Sequence, residues 1–131
     1  MFMCFILGTF LVNGISTLVL FDSGDTRSFV SLALSKRFAR GTGELDCPID
    51  VEIVDDKSIR VAWVHRGCTL QLFNEQYMVD LFPIPLRRNK VIVGMDWLSP
   101  NEVVIRCGCW FGFRPQVGES WRFRVKDRSV G

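Results

Sequence analysis

The chain has 131 residues, 48% of them hydrophobic and 23% charged, which suffices for one domain with its own core and excludes an intrinsically disordered polypeptide. A formal net charge of +2 is too small to mark a nucleic-acid-binding protein, and the compact basic run Arg87-Arg88-Asn89-Lys90 reads as a solvated turn. Five cysteines (Cys4, Cys47, Cys68, Cys107, Cys109) form no even framework, and with His65 as the single histidine they lack the spacing of a zinc site. Neither a metal nor a cofactor is expected, and the thiols are expected to be free in a reducing, intracellular (cytoplasmic) compartment.

Residues 1–7 resemble the apolar core of a signal peptide but lack a basic start, and Asn13-Gly14 interrupts the segment short of membrane-spanning length. A buried strand is expected there, without membrane attachment. The chain starts almost inside this strand, as a fragment of a longer product would. Thr9-Phe10-Leu11-Val12 and residues 15–21 flank Asn13-Gly14, a pair that favours the positive φ angles of a type I′ hairpin. Residues 22–26 form a loop, after which Ser28 or Ser31 caps a short helix through Leu32, Leu34 and Phe38 that ends near Gly41. Residues 49–54 alternate apolar and polar, residues 55–58 make a polar tip, and residues 59–64 return, predicting a hairpin that projects from the body.

A third hairpin is predicted from residues 69–73 and 77–81 with a turn at Asn74-Glu75, stopped by Pro83 and Pro85. Val91-Ile92-Val93-Gly94 belongs to a short apolar strand suited to central burial. Asp96 then caps a small helix at residues 97–99, and residues 103–105 form another strand. Many short strands and one or two short helices predict an all-β fold, a small closed β-barrel.

The most informative motif is Asp22-Ser23-Gly24, a carboxylate on a tight turn directly after a buried strand. The tripeptide by itself is a common turn, but Val91-Ile92-Val93-Gly94-Met95-Asp96 follows at a distance that makes the pair specific. With both motifs in place, residues 8–107, about three quarters of the chain, resemble the retropepsin-like aspartic proteases of plant Ty3/gypsy-type retrotransposons. Residues 8–14 are similar to that family's opening hairpin, Leu20-Phe21-Asp22-Ser23-Gly24 to its active-site loop, and Val91-Ile92-Val93-Gly94-Met95-Asp96-Trp97-Leu98 to the segment supporting it.

The resemblance implies a homodimer in which Asp22 of each chain joins its mate at the two-fold axis, shares one proton and activates one water. Ser23 would lock the two loops together, Gly24 would let a substrate backbone approach, and Val91, Ile92, Val93 and Gly94 would support the loop. Val54, Asp55, Asp56, Lys57 and Ser58 would form a flap clamping an extended peptide. The implied substrates are peptide segments of the chain's own polyprotein; no nucleic acid is bound by this domain. The implied division is a protease domain over residues 1–107 and an atypical tail over residues 108–131.

Two departures bear on activity. Asp25 stands where the family usually has alanine, adding a carboxylate beside the dyad; either the dyad titrates higher or the loop distorts, and distortion with loss of activity is expected. A remnant β-barrel without catalysis, or an interaction module, is the alternative reading. The tail departs further: plausible codons for the family's Leu-Val-Arg-Val, read one base later, give the Trp-Phe-Gly-Phe found at residues 110–113. A frameshifted, poorly ordered tail is therefore expected, with terminal strands missing, rather than an aromatic nucleic-acid surface. Asp55-Asp56 reads as a solvated turn rather than an acid/base pair, Asp96 as a helix cap rather than a second catalytic acid, and His65 as a packed or surface residue rather than a ligand.

Overall fold

The left-handed backbone at Asn13 (φ 50°) and Gly14 (φ 78°) closes the first hairpin as a type I′ turn demands. In the computed structural model, which describes residues 5–53, 57–101, 103–106, 110–113 and 121–124, this turn joins β1 (Phe5–Val12) to β2 (Ile15–Asp22). The two pair without interruption from Phe5 opposite Asp22 to Val12 opposite Ile15. Asn13 also ties the turn to the body: its N–H donates to the Thr69 carbonyl and its Oδ1 accepts from the Thr69 N–H, both at 2.9 Å.

The remaining elements are β3 (Phe29–Ser31), α1 (Leu32–Ser35), β4 (Gly43–Ile53), β5 (Lys57–Leu72), β6 (Glu75–Ile84), β7 (Lys90–Val93), α2 (Met95–Leu98), β8 (Val103–Arg106), β9 (Trp110–Phe113) and β10 (Trp121–Arg124). The main sheet runs β1-β2-β7-β3-β6-β5-β4, and a further β1–β5 pairing at Leu11–Gln71 and Val12–Leu70 closes it into a ring. The all-β expectation with two short helices holds. Strands β8, β9 and β10 form a separate antiparallel sheet, so two segments of the expected atypical tail are paired strands in the structure.

Strand alternation sends Val12, Val19, Phe21, Leu70, Leu72, Leu81, Val91 and Val93 into the ring, where they meet Leu34, Trp97 and Leu98 from the helices. A second cluster, Phe29, Val51, Val61, Val64, Phe82 and Ile84, joins the β4–β5 hairpin to the body. His65 is buried, edge-on to Phe38 at 5.0 Å between ring centroids, with Nε2 2.6 Å from Ser35 Oγ. Burial lowers its pKa, partly opposed by a ring N–H donated to the Arg40 carbonyl, so it is packed as a neutral ring.

Several boundaries differ from the sequence reading. The helix after Ser31 is a single turn ending at Ser35: Ser31 Oγ accepts from the Leu34 N–H at 3.3 Å, while Ser28 serves elsewhere. Residues 57–64 and 69–72, expected in separate hairpins, are one 16-residue strand. Gly67, at φ +66° and with its N–H donating to Asp80 Oδ1 at 2.8 Å, lets β5 bulge between His65 and Cys68 and continue. The third turn lies at Phe73-Asn74, one residue early, with Phe73 at φ 58°. Pro83 lies inside β6, opposite Val30 of the parallel neighbour β3, instead of ending the strand. A proline is tolerated where its missing N–H leaves no ladder bond unmade. Cys47 (exposed) and Cys68 (buried) are free thiols, and burial pushes the Cys68 thiol up; Cys4, Cys107 and Cys109 lie outside the described residues.

Candidate active site

β2 runs parallel to β7 from Leu18 opposite Lys90 to Phe21 opposite Val93, so the end of β2 is held by a buried neighbour. Phe21 is fully buried, edge-on to Phe10 at 5.7 Å and tilted against Trp97 at 6.0 Å. The period of two then turns Asp22 to the opposite face, where it is half-buried. Beyond it the backbone folds back on the carboxylate: the Gly24 N–H donates to Asp22 Oδ1 at 2.8 Å and the Asp25 N–H to the Asp22 carbonyl at 3.2 Å. This is the side-chain-closed turn that aspartate favours. Ser23 and Gly24 are exposed beside it.

The loop is braced by the start of α2. The Met95 N–H donates to the Asp25 carbonyl at 2.7 Å and the Asp96 N–H to the Thr26 carbonyl at 3.1 Å. Ser28 is the hub. Its N–H and Oγ donate to the Asp96 carboxylate at 3.2 and 2.6 Å, its Oγ accepts from the Gly94 N–H at 3.0 Å, and its carbonyl accepts from the Phe82 N–H at 3.0 Å. Asp96 is therefore not a helix cap: Gly94 occupies that position with no side-chain bond, and the Asp96 carboxylate reaches across to Ser28 instead. Sequence reasoning missed this bridge because its partners stand 68 positions apart and neither carries a local mark of the other.

Replacing Asp96 by alanine strands the two Ser28 donors beside a serine with 0% exposure. A loss of about 2–3 kcal/mol in unfolding free energy is expected, because bonds to a charged acceptor are lost and buried donors left unpaired. Denaturant unfolding of Asp96→Ala checks this, with Asp96→Asn expected to recover part of the loss.

The structure gathers Asp22, Ser23, Gly24 and Asp25 at one loop with Val91, Ile92, Val93 and Gly94 beneath it. Lys57 and Ser58 stand instead at the start of β5, opposite Ile53 and Glu52, while Val54, Asp55 and Asp56 lie outside the described residues. The hairpin's Arg60–Asp50 pair, at 3.4 Å on exposed side chains, contributes little. Among the described residues no three His, Cys, Asp or Glu side chains are grouped to hold a metal ion. No helix among them is long and apolar enough to cross a membrane.

Asp25 is half-buried at the same turn, with its N–H on the Asp22 carbonyl. Burial first, then the charge and hydrogen-bonding of the nearby Asp22 carboxyl, raise its pKa from the ordinary 3.8 to about 6.

A ring of short strands with an aspartate on a hydrogen-bonded turn, braced by a buried strand and a one-turn helix, is a fold of the acid-protease type. The profile of the retroviral aspartyl protease family matches residues 4–109, and the chain belongs to that family. Among solved structures it is similar to the retroviral protease-like domain of Ddi1 from Leishmania major, with a TM-score of 0.65 at 12% identity over 100% of this chain and 99% of that one. It is also similar to the EIAV protease complexed with the inhibitor HBY-793, with a TM-score of 0.53 at 18% identity over 72% of this chain and 85% of that one. At these identities the likeness establishes the retropepsin-like fold. No curated protein matches the chain.

Proposed function

We propose that this chain is an aspartic endopeptidase that acts as a homodimer on peptide segments of a retroelement polyprotein in the cytoplasm. The observation carrying this reading is Asp22, half-buried on its hydrogen-bonded turn and braced by β7 and α2, in a chain of the retroviral aspartyl protease family. Asp22 and its mate from a second chain hold one water between them. The ionised carboxylate acts as general base as the water attacks the peptide carbonyl; the protonated one polarises that carbonyl and then delivers its proton to the leaving amine. The β4–β5 hairpin closes over the substrate backbone as an added strand.

The second reading is a retropepsin-like module without catalysis, and a second half-buried carboxyl at Asp25, its pKa raised by burial and by the Asp22 charge, favours it. The assay that separates them follows cleavage of an unstructured polypeptide between pH 4 and 7 with and without pepstatin. Pepstatin-sensitive cleavage supports the peptidase. A folded, dimeric chain that cleaves nothing across this range supports the silent module.

A further inference from the structure

We propose that the cavity between residues 40–43 and the bulge of β5 is a binding site for a phosphate group, held by the guanidinium groups of Arg40 and Arg66.

The cavity has a volume of about 280 Å³ and is lined by Asn13, Arg40, Thr42, His65, Arg66 and Cys68, with glycines at 41, 43 and 67. Asn13 stands before the first residue of β2 and Asp22 is its last, so eight residues of extended strand lie between the cavity and the candidate catalytic loop. At ~3.3 Å per residue this is about 25 Å. The site is therefore separate from Asp22 and independent of the peptidase reading.

The local backbone makes the space. In the β5 bulge, Arg66 and Gly67 together oppose the single residue Asp80, because His65 pairs with Leu81 and Cys68 with Val79. Gly67 holds the turn at φ +66°, and Arg66 is exposed beside it. Across the cavity Arg40 is exposed on the approach to β4, whose first residue, Gly43, pairs with Val64. Nothing lies within 4 Å of where a Cβ on Gly41 would stand.

The lining is rich in donors and carries no carboxylate. Asn13 Oδ1 is taken by the Thr69 N–H at 2.9 Å, which leaves the amide NH2 as the group Asn13 offers the cavity. Thr42 adds an exposed hydroxyl. The nearby Asp80 does not line the cavity, and its Oδ1 accepts from the Gly67 N–H at 2.8 Å. Among the described residues the ion pair is Arg60–Asp50, so neither Arg40 nor Arg66 is matched by a carboxylate. The floor is already satisfied: His65 Nε2 lies 2.6 Å from Ser35 Oγ, and Cys68 Sγ donates to the His65 carbonyl at 3.6 Å. Both floor residues are buried, and the cationic groups stand at the rim.

A donor-lined cavity with two unmatched guanidinium groups selects an anion. Its volume is below that of sites for drug-sized molecules, so it fits one small group. A carboxylate has two oxygens and a single charge. A phosphate has more than one edge and up to two charges, so it can meet a planar fork from each of two separate segments at once.

Calorimetric titration of the whole chain at pH 7.5 and constant ionic strength tests this, with inorganic phosphate, free phosphoserine and acetate as probes. Saturable binding of a phosphate probe at one site per chain is expected, with a dissociation constant below about 1 mM. Arg40→Gln and Arg66→Gln are each expected to weaken it about tenfold or more, and Arg88→Gln, on the exposed turn before β7, to leave it unchanged. Amide NMR of the wild type needs no variant to fold: phosphate is expected to shift the Gly41, Gly43 and Gly67 signals and leave Gly24 in place. Tighter binding of phosphoserine than of inorganic phosphate supports the site and identifies a monoester as its occupant; the reverse order supports it with free phosphate. No saturation by either phosphate probe at about 10 mM, acetate bound as tightly as phosphate, equal affinities in all three variants, or shifts centred elsewhere would each overturn the proposal.

Discussion

Gly94→Ala is expected to lower the unfolding free energy by about 3 kcal/mol or more, with a drop of roughly 10 °C in the thermal midpoint. The φ of Gly94 is −104°, a value open to any residue, so conformational freedom is not the reason. The reason is space. A Cβ there would stand 2.3 Å from the Arg27 carbonyl oxygen, 2.7 Å from that of Asp25 and 2.9 Å from the Arg27 carbonyl carbon. All three are backbone atoms, which cannot swing aside as the end of a long side chain would. Moving them would break the Gly94 N–H bond to Ser28 Oγ and pull the Met95 and Asp96 N–H groups from the loop carbonyls of Asp25 and Thr26. Gly41→Ala is the control: nothing lies within 4 Å of its Cβ position, and a change within about 0.5 kcal/mol is expected. Calorimetry on the two variants checks both, and equal midpoints would show that the close approach beneath the loop is not needed for stability.

Asp22→Asn is expected to reduce peptide cleavage by about 10³-fold, the scale of losing a positioned general base, while leaving the fold intact. The more discriminating result comes from mixing. If each working centre needs one Asp22 from each of two chains, chains re-equilibrated at equal amounts of wild type and Asp22→Asn form about a quarter wild-type dimers. Activity per wild-type chain should then fall by about half, and across a mixing series at constant total chain the total activity should follow the square of the wild-type fraction. A linear dependence would mean that one chain carries a complete centre, with Asp25 rather than a second Asp22 as the partner carboxylate. The amide leaves the Gly24 N–H with an oxygen acceptor at Asp22, so circular dichroism and thermal midpoint should be nearly unchanged.

The contrast between Asp96 and Asp25 shows how far a sequence can be read. Asp96, placed just before Trp97-Leu98, carries the local pattern of a helix cap, and the pattern misleads because the carboxylate is drawn to Ser28 on a distant loop. Asp25 stands out in the sequence for its charge, but the contacts that hold its loop are invisible locally: the loop is pinned by N–H groups of Met95 and Asp96, which the fold brings from 70 positions away. The fused β5 is a similar case. Arg66-Gly67 looks like a break between two hairpins, and only the Asp80 side chain bonding the Gly67 N–H turns it into a bulge within one strand.

The amino-acid order alone determined the local pieces: a type I′ hairpin from Asn13-Gly14, buried strands from runs such as Val91-Ile92-Val93, and a carboxylate on a turn after one of them, because turn chemistry and alternation act over a few residues. The tertiary structure decided what joins those pieces: the ring closed by β1 on β5, the Ser28–Asp96 bridge, and the Asp25 carbonyl held by the Met95 N–H. Those contacts depend on how buried faces pack and on which distant donor meets which acceptor, and neither is written in the spacing of neighbouring residues.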